Sequence, residues 1–344
     1  TLLGFNYNKL GDIQNGIKFL EKGLKIQEEN FYIKNYKSIG RAYNVLGFWY
    51  LNIYKYKKGL EYQKKYLDYV KNTKGESNKD YYLAYKGLSK DFMTAGRYDD
   101  AIRTSLELEK ILHKFSLDEK ETIYFYHLVS AAFYKKQNYD LQEKYLLIAL
   151  DYFSKLKNNI ALDKKNKIQL LLYNDYALML YSKFQLNGNF SNLKKSKKYF
   201  LLALDLSKKI KDDDSGLYIS YANIAGVYRD LGDYKKALSS QKKSLNLCEK
   251  KFNNKFHVEC IKQMNAMAHY YYKHGDYKKA KNLLNLILVN EPVDQGSYQE
   301  WRISNRNLLS LVYQEMGNFE FAEKYMLQSL SLLNPENPLN KLLY

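Results

Sequence analysis

Cysteine and histidine carry the most specific chemistry available in this chain, and they cluster in one stretch at Cys248, His257, Cys260, His269 and His274. Thiolate and imidazole are ligands that zinc prefers, and His257 and Cys260 are spaced by about one helical turn. The stretch lacks the paired Cys-x-x-Cys or His-x-x-x-His elements of a zinc site, and nothing would orient a base for a cysteine hydrolase. We therefore predict buried thiols and exposed imidazoles, with no metal ion and no catalytic residue.

The remaining composition favours a basic, helix-rich protein. Only 17 glycines and 3 prolines occur, and no glycine-rich phosphate-binding motif is present, so no cofactor is predicted. The net charge is +18, with 46% hydrophobic residues and 36 tyrosines, a composition far from that of disorder. Two cysteines without a pairing framework favour a reducing compartment, and the absence of a long apolar run argues against a membrane span. The sequence therefore predicts a cytoplasmic location.

The sequence contains an internal repeat. Four segments share one pattern, in which a small residue is followed by an aromatic residue, a Gly-Asp-like turn, a second aromatic residue and Ala. They begin at Ser89, Ala225, Ala268 and Ser310. The second aromatic position recurs every 41–43 residues, apart from one step of 95, through Ile13, Tyr56, Tyr98, Tyr139, Tyr234, Tyr277 and Phe319. The long step contains a further repeat with Ala177 and Phe200, whose turn at residues 187–192 we expect to be lengthened.

These residues resemble the tetratricopeptide repeat, in the longer variety of about 42 residues found in kinesin light chains, bacterial intracellular peptide receptors and CHAT-protease-associated proteins. In that register the eighth position is small throughout: Gly4, Gly47, Ser89, Ser130, Ala177, Ala225, Ala268 and Ser310. The eleventh is large: Tyr7, Tyr50, Phe92, Phe133, Leu180, Tyr228, Tyr271 and Tyr313. Gln142 departs from the pattern by replacing a small residue, so we expect looser or rearranged packing there.

The resemblance implies an all-α, right-handed solenoid of about eight antiparallel helix pairs with a concave inner wall. The pairs are expected near residues 1–28, 40–70, 82–112, 123–153, 170–209, 218–250, 261–290 and 303–333, within one solenoid over residues 1–335. Residues 336–344 are expected to be a C-terminal extension or the start of a further element. Because residue 1 already falls inside a first helix, we also expect a covalently linked domain beyond one end.

In the family, positions two, five, nine and twelve of each first helix build the inner wall. The fifth position holds Asn44, Lys86, His127, Asn174, Ala222, Asn265 and Asn307. An amide both donates and accepts hydrogen bonds, so such a row could bind the backbone of an extended peptide, and asparagine contacts of this kind are known in the peptide-receptor relatives. The alternative is that these asparagines form an ordinary solvent-exposed surface in an asparagine-rich chain and bind no ligand.

Further wall positions add basic and aromatic residues: Lys90, Tyr134, Tyr181, Arg229, His269 and Tyr272. Such a groove would attract an acidic peptide or a free carboxylate through charge-assisted hydrogen bonds. Interleaved Lys and Tyr could instead bind nucleic acid, but the lysines are spread over all repeats and form no recognised module. We therefore predict a protein or peptide partner, and neither nucleic acid nor membrane.

The sequence predicts a non-catalytic scaffold that binds a protein or peptide, as the regulatory or sensory part of a larger bacterial protein. A peptide-pheromone-type receptor that controls a transcription factor or signalling enzyme is one alternative. A regulatory partner of a CHAT-type, caspase-like protease is another. Fold alone does not decide between them.

Overall fold

The computed structural model describes residues 12–29, 36–156, 161–210, 214–291 and 299–332. These residues form fifteen α-helices and contain no strand. The first helix predicted for the first repeat, with Gly4 and Tyr7, and the predicted extension at 336–344 lie outside the described residues. The chain divides into two compact modules, an N-terminal one ending at Leu156 and a C-terminal one beginning at Lys157.

The N-terminal module contains the second helix of the first repeat followed by three complete helix pairs. Its helices are α1 (Ile13–Glu29), α2 (Tyr36–Asn52), α3 (Tyr56–Lys74), α4 (Lys79–Thr94), α5 (Tyr98–Lys110), α6 (Glu119–Lys135) and α7 (Tyr139–Ser154). A short 3₁₀ turn at Leu112–Lys114 lies between α5 and α6.

The C-terminal module contains four complete helix pairs. Its helices are α8 (Leu162–Asn187), α9 (Phe190–Lys209), α10 (Asp214–Asp230), α11 (Tyr234–Phe252), α12 (Val258–Lys273), α13 (Tyr277–Val289), α14 (Gln299–Glu315) and α15 (Phe319–Ser331). Together with the N-terminal module, it gives the predicted all-α fold of antiparallel helix pairs.

The Gly-Asp-like turn ends one helix and starts the next. Gly232 adopts a φ of +77°, which a glycine reaches without steric cost, and Asp233 N–H donates to the Tyr228 carbonyl over 2.9 Å. The Asp233 side chain then accepts from Lys236 N–H over 3.2 Å and so caps α11. Asp276 and Asn318 cap α13 and α15 in the same way. The motif thus reverses the chain between paired helices.

Small residues at the eighth position let the paired helices approach closely. Ser89 is 1% exposed, and its hydroxyl donates to the Ala101 carbonyl of the partner helix over 3.0 Å. At Gly47, an added Cβ would lie 2.7 Å from the Gln63 side chain. At Ser89 and Gly47 the eighth position therefore lies in close contact with the partner helix, as the repeat pattern predicts.

Aromatic and aliphatic side chains fill the cores of both modules. Tyr82 and Phe125 are fully buried between successive pairs of the N-terminal module. In the C-terminal module, Phe200 packs with Val227, and Leu284 packs with Leu309. Each pair buries a face that it could not bury alone, which is how a stack of repeats gains its stability.

The predicted lengthening of the turn in the fifth repeat is wrong. The extra residues do not lengthen its turn, which consists of Gly188 and Asn189, but extend its first helix, α8, to 26 residues. The helix continues through Gln185 and Leu186 and ends where Gly188 adopts a φ of +67°. Since residues 185–187 contain neither Gly nor Pro, nothing ends the helix earlier.

Gln142 also differs from expectation. Its side chain is only 3% exposed, and beside it the rings of Phe133 and Tyr145 stack with centroids 5.5 Å apart. The pair is therefore closely packed here, yet Gln142 Oε1 is buried without a hydrogen-bond partner. The cost of the long side chain is an unsatisfied polar atom rather than loose packing.

Among the described residues, no helix combines the length and the apolar character needed to cross a bilayer.

Candidate functional site

A groove lies on the inner wall of the N-terminal module, where the first helices α2 and α4 face each other over α3. Its volume is about 550 Å³. The residues that line it come from these three helices: Arg41, Asn44, Val45, Phe48, Trp49, Gln63, Tyr66, Leu83, Ala84, Gly87, Lys90 and Asp91. Two of the predicted wall residues, Asn44 and Lys90, are brought together here, and both are exposed.

Exposed apolar side chains in the groove were not selected by the sequence analysis. Phe48 is 57% exposed and Leu83 is 42% exposed, although both are large hydrophobic residues. They occupy the ninth position of the second repeat and the second position of the third, which belong to the wall register. A survey of those positions for apolar residues would have found them. The groove thus combines an apolar surface with amide and charged groups, as ligand sites usually do.

Asp91 is an acidic side chain in this groove, and the sequence analysis missed it as well. Its side chain is partly buried, and burial raises its pKa to about 7, against a smaller opposing effect of the nearby Lys90 ammonium. The usual pKa of this group is 3.8, so folding makes its ionisation costly. Asp91 occupies the tenth position of its repeat, which is not one of the wall positions. Only the burial of its carboxyl group distinguishes this residue.

The other predicted wall residues of this module have partners within the protein. Lys86 Nζ lies 2.9 Å from Glu121 Oε2 at the start of α6 and 4.9 Å from the centroid of the Tyr82 ring. Tyr134 packs against Tyr139 of its own pair, with centroids 6.3 Å apart. His127 is partly buried, and its carbonyl accepts a hydrogen bond from the Ser130 hydroxyl.

In the C-terminal module, the predicted wall residues Tyr181 and Arg229 of successive first helices contact each other, and a third, His269, lies on the next first helix. Arg229 of α10 donates through Nη2 to the Tyr181 hydroxyl of α8 over 3.0 Å and through Nε to Asp230 Oδ1 over 2.9 Å. Tyr181 in turn donates to the other oxygen of Asp230. The positive charge of Arg229 contributes to the lowered pKa of His269 on α12. We call Tyr181, Arg229, Asp230 and His269 the arginine cluster.

Two groups of the arginine cluster, His269 and Tyr181, have shifted pKa values. Burial, together with the positive charges of Arg229 and Lys273, lowers the pKa of His269 to about 4, so the imidazole is neutral at physiological pH. Burial also raises the pKa of Tyr181, as does its hydrogen bond to Asp230, so the phenol stays protonated. The partly exposed guanidinium and the neutral imidazole can donate hydrogen bonds to an anionic group, while the phenol proton is already donated to Asp230.

The predicted asparagine row is not a uniform surface. Asn265 is only 3% exposed, and its Nδ2 donates to Asn305 Oδ1 over 2.6 Å, so this amide belongs to the protein interior. Asn174 and Asn307 are partly buried, and Asn174 Oδ1 has no hydrogen-bond partner although that atom is buried. Tyr272 packs against Tyr277 of its own pair, with centroids 6.0 Å apart.

The cysteine and histidine stretch has a structural role. Cys248 of α11 and Cys260 of α12 form a disulfide with Cα atoms 5.6 Å apart, which contradicts the prediction of free buried thiols. The stacking of successive repeats brings these two fully buried side chains together. Their sequence separation of 12 residues did not by itself predict the disulfide. His257 caps α12 through Nδ1 and stacks on Phe252 at 3.6 Å between centroids. In the described part of the chain, no three His, Cys, Asp or Glu side chains form a group that could hold a metal ion.

Comparisons with known proteins agree with this architecture. A family model described as tetratricopeptide repeat matches residues 217–288, and a second of the same description matches residues 1–30 and 303–332. A search of the curated proteins gave no significant match.

Solved structures extend the likeness along the chain. The apo form of the quorum sensor NprR from B. thuringiensis is 16% identical, with a TM-score of 0.65 over 96% of this chain and 84% of that chain. The apo form of RapI is 16% identical, with a TM-score of 0.57 over 96% of this chain and 94% of that chain.

A signal-transduction ATPase with a tetratricopeptide repeat sensor, from Pyrococcus horikoshii, is 17% identical, with a TM-score of 0.58 over 94% of this chain and 46% of that chain. At these identities the likeness concerns the fold alone. The helix pairs, their small crossing residues and the matched segments lead to one conclusion: residues 217–288, 1–30 and 303–332 match tetratricopeptide repeats, and the chain has the helical-solenoid fold that such repeats form.

Proposed function

We propose that this chain is a non-catalytic scaffold that binds a peptide or protein segment along the wall of its first helices. The observation that carries the proposal is the arginine cluster, in which Arg229 and Tyr181 of successive repeats are hydrogen-bonded and the charge of Arg229 acts on His269 of the next repeat. A solenoid core requires no such polar convergence on its inner wall, because its stability comes from the apolar contacts between pairs.

The chemistry of the cluster favours a carboxylate as the bound group. Arg229 has five N–H donors, and its bonds to Tyr181 and Asp230 fix the plane of the guanidinium. A carboxylate of the ligand would meet a pre-oriented cation in a partly desolvated site, where charge-assisted hydrogen bonds are strongest. We therefore propose an acidic peptide, or one with a free C-terminal carboxylate.

Asn174 supports recognition of the peptide backbone. Its buried Oδ1 accepts no hydrogen bond within the protein, and an unsatisfied acceptor of this kind gains from a ligand N–H group. Asn44 is exposed in the groove of the N-terminal module and can act similarly. Asn265, which pairs with Asn305, does not take part.

We also propose a sensory or regulatory role within a larger protein. The likeness in fold to a quorum sensor and to the tetratricopeptide repeat sensor of a signal-transduction ATPase supports this role. Binding across several repeats favours one arrangement of the helix pairs, and such a population shift can be passed to an attached domain.

Affinity selection from a pool of random short peptides tests the proposal. The full chain, an Arg229→Gln variant and an Arg103→Gln variant are immobilised, and each is offered the pool with free and with amidated C-termini. Arg103 is the control because it is an exposed arginine that also pairs with an aspartate. We expect the wild type and Arg103→Gln to enrich acidic or free-carboxylate peptides, and Arg229→Gln to lose that enrichment. Equal enrichment by all three proteins would overturn the proposal.

A further inference from the structure

The positive charge of the C-terminal module is concentrated on three successive second helices. The helices α9, α11 and α13 carry fifteen lysines, no arginine and two acidic residues, Asp205 and Glu249. Their net charge is therefore +13, against +18 for the whole chain. In the second helices α5, α7 and α15, by contrast, acidic residues outnumber basic ones. Lysines occur in every repeat of the sequence, which argues against a nucleic-acid site, but the excess positive charge is not evenly distributed.

Lysines recur at the same place in these three helices. Each helix has a small, fully buried crossing residue that a pair of lysines directly precedes: Ser196, Ala237 and Ala280. The first lysine of each pair is exposed, and its ammonium forms no hydrogen bond or ion pair with a described residue: Lys194, Lys235 and Lys278. Because the repeats stack on one another, equivalent positions of successive second helices line up along the stack. We call Lys194, Lys235 and Lys278 the lysine row.

Tyrosine rings hold further lysines beside the lysine row. Lys236 Nζ of α11 lies 5.7 Å from the centroid of the Tyr228 ring, and Lys197 Nζ of α9 lies 5.4 Å from the same centroid. Lys279 Nζ of α13 lies 5.7 Å from the centroid of the Tyr271 ring. A lysine that is held over a ring has less side-chain freedom to lose when it binds a ligand. The lysines of neighbouring second helices are thus brought side by side in a defined arrangement.

Most of this positive charge has no counter-ion within the described part of the chain. The ion pairs on the three helices are Lys209 with Asp205, Lys236 with Asp233 and Lys279 with Asp276, so twelve of the fifteen lysines lack a carboxylate partner there. The basic helix α3 of the N-terminal module differs, because half of its six lysines are paired: Lys58, Lys71 and Lys74. The surface around the lysine row is therefore suited to a polyanion.

We propose that the lysine row and the lysines beside it bind the phosphate backbone of a nucleic acid without reading its base sequence. A lysine ammonium pairs with a phosphate as a point charge and needs no fixed bidentate geometry. Exposed hydroxyl and amide side chains lie on the same helices, and such groups also bind phosphate and sugar oxygens: Ser191, Ser239, Asn246 and Asn282. This inference goes beyond the proposed function, because the lysine row lies on second helices and Arg229 on a first helix.

An acidic protein could place carboxylates on the same lysines, but a protein interface also needs an apolar or aromatic anchor near its centre. The leucines nearest to the lysine row do not supply one, because Leu193 is fully buried and Leu238 and Leu283 are partly buried. A phosphate backbone needs no such anchor, since its contacts are electrostatic. The surface therefore favours a nucleic acid over a protein.

The test measures fluorescence anisotropy of labelled single-stranded DNA during titration with the full chain. The probes are two unrelated sequences of about 20 nucleotides, measured between about 50 and about 200 mM salt. We expect both sequences to bind with a similar, micromolar Kd near about 100 mM salt. The logarithm of the affinity should fall linearly with the logarithm of the salt concentration, because binding releases counter-ions from the phosphates.

Two triple variants make the test specific to the lysine row. Lys194→Gln/Lys235→Gln/Lys278→Gln should weaken binding at least about tenfold near about 100 mM salt and reduce the salt slope by about 2, at about 0.7 for each lost contact with a single strand.

The control, Lys22→Gln/Lys57→Gln/Lys110→Gln, removes the same charge from exposed lysines of the second helices α1, α3 and α5. It should weaken binding less than about threefold and leave the salt slope nearly unchanged. Both variants should unfold at the temperature of the wild type, because none of the six lysines forms an ion pair with a described residue.

A polyglutamate peptide of about the same number of charges distinguishes a nucleic acid from an acidic protein. We expect it to bind more weakly than the DNA. Polyglutamate that binds as tightly as DNA, with the same loss in the lysine-row variant, would assign the surface to an acidic protein and overturn the proposal. Equal weakening of DNA binding in the two triple variants, or no DNA binding at the lowest salt concentration, would overturn it as well. The lysine-row variant should still select free-carboxylate peptides, so this test and that of the proposed function can fail separately.

Discussion

The side-chain amide of Asn265 donates to the side-chain oxygen of Asn305 over 2.6 Å, between the first helices of the last two repeats. Both residues are buried, with Asn305 fully excluded from solvent. A residue expected to bind a ligand thus joins two repeats of the C-terminal module. The pair shows that the same position of the repeat can serve packing in one place and the exposed wall in another.

Asn265→Ala should therefore lower stability. The substitution leaves Asn305 Oδ1 in the interior without that donor, which costs about 1–3 kcal/mol. Chemical unfolding of the full chain measures the change. Asn307→Ala, at a partly exposed position one turn or less away, is the matched control and should change the free energy of unfolding by less than about 0.5 kcal/mol. Equal losses in the two variants would contradict a structural role for the amide pair.

His269 should make the fold sensitive to mild acid. Its pKa is about 4 in the folded chain and 6.5 ordinarily, so the unfolded chain binds the proton first as pH falls. The stability held by the neutral imidazole is complete above about pH 6.5 and is lost progressively down to about pH 4. Unfolding midpoints measured across this range should fall less steeply for His269→Gln than for the wild type.

The exposed His113 supplies the control for that experiment. His113→Gln should follow the wild-type curve, because acid effects of all other groups are common to both proteins. A His269→Gln curve parallel to the wild type would show that the imidazole is not held neutral by its surroundings.

Gln142→Met should stabilise the protein. Methionine keeps the length and much of the volume of the side chain, and it removes the buried Oε1 that has no hydrogen-bond partner. We expect a gain of about 1 kcal/mol in the free energy of unfolding. At Gln241, Nε2 donates to the Gln263 carbonyl over 3.0 Å, so Gln241→Met should instead lose stability. If both substitutions destabilise, the Gln142 amide has a role that its contacts do not show.

The disulfide between Cys248 and Cys260 gives a redox prediction. Labelling of the denatured, unreduced chain with iodoacetamide should modify neither cysteine, and prior reduction should expose both. Because the bond closes a loop with a sequence separation of 12, its loss should cost roughly 3 kcal/mol by loop-closure entropy. The Cys248→Ala/Cys260→Ala variant should then be less stable than the oxidised wild type and close to the reduced wild type.

Two labelled thiols in the chain purified without reductant would contradict the pairing. That result would agree with a reducing cytoplasm, where disulfides are rare.

Much of the local structure could be predicted from the repeat pattern. The small eighth residue, the large eleventh residue and the tight turn follow from close helix approach, groove filling and chain reversal, which are local requirements of a helix pair. Tyr54 and Gln137 take the positive-φ position that Gly occupies in most of the other described turns. The lengthening of α8 was missed because a helix without Gly or Pro can absorb added residues as readily as a turn can.

The candidate sites depended on contacts that no local pattern encodes. Asn44 and Asn265 have the same residue type and the same place in the repeat, yet one is exposed and the other is paired in the interior. Phe48 and Leu83 were overlooked because exposure of an apolar side chain depends on the neighbouring helices.

The sequence by itself determined the helix pairs of the described residues and their packing register, because periodicity and turn chemistry act over a few residues. The tertiary structure decided which wall residues meet, since Tyr181 and Arg229 lie 48 residues apart and are joined only by the stacking of successive repeats. It also decided the protonation of Asp91 and His269, because desolvation depends on everything that surrounds a group and not on its own residue type.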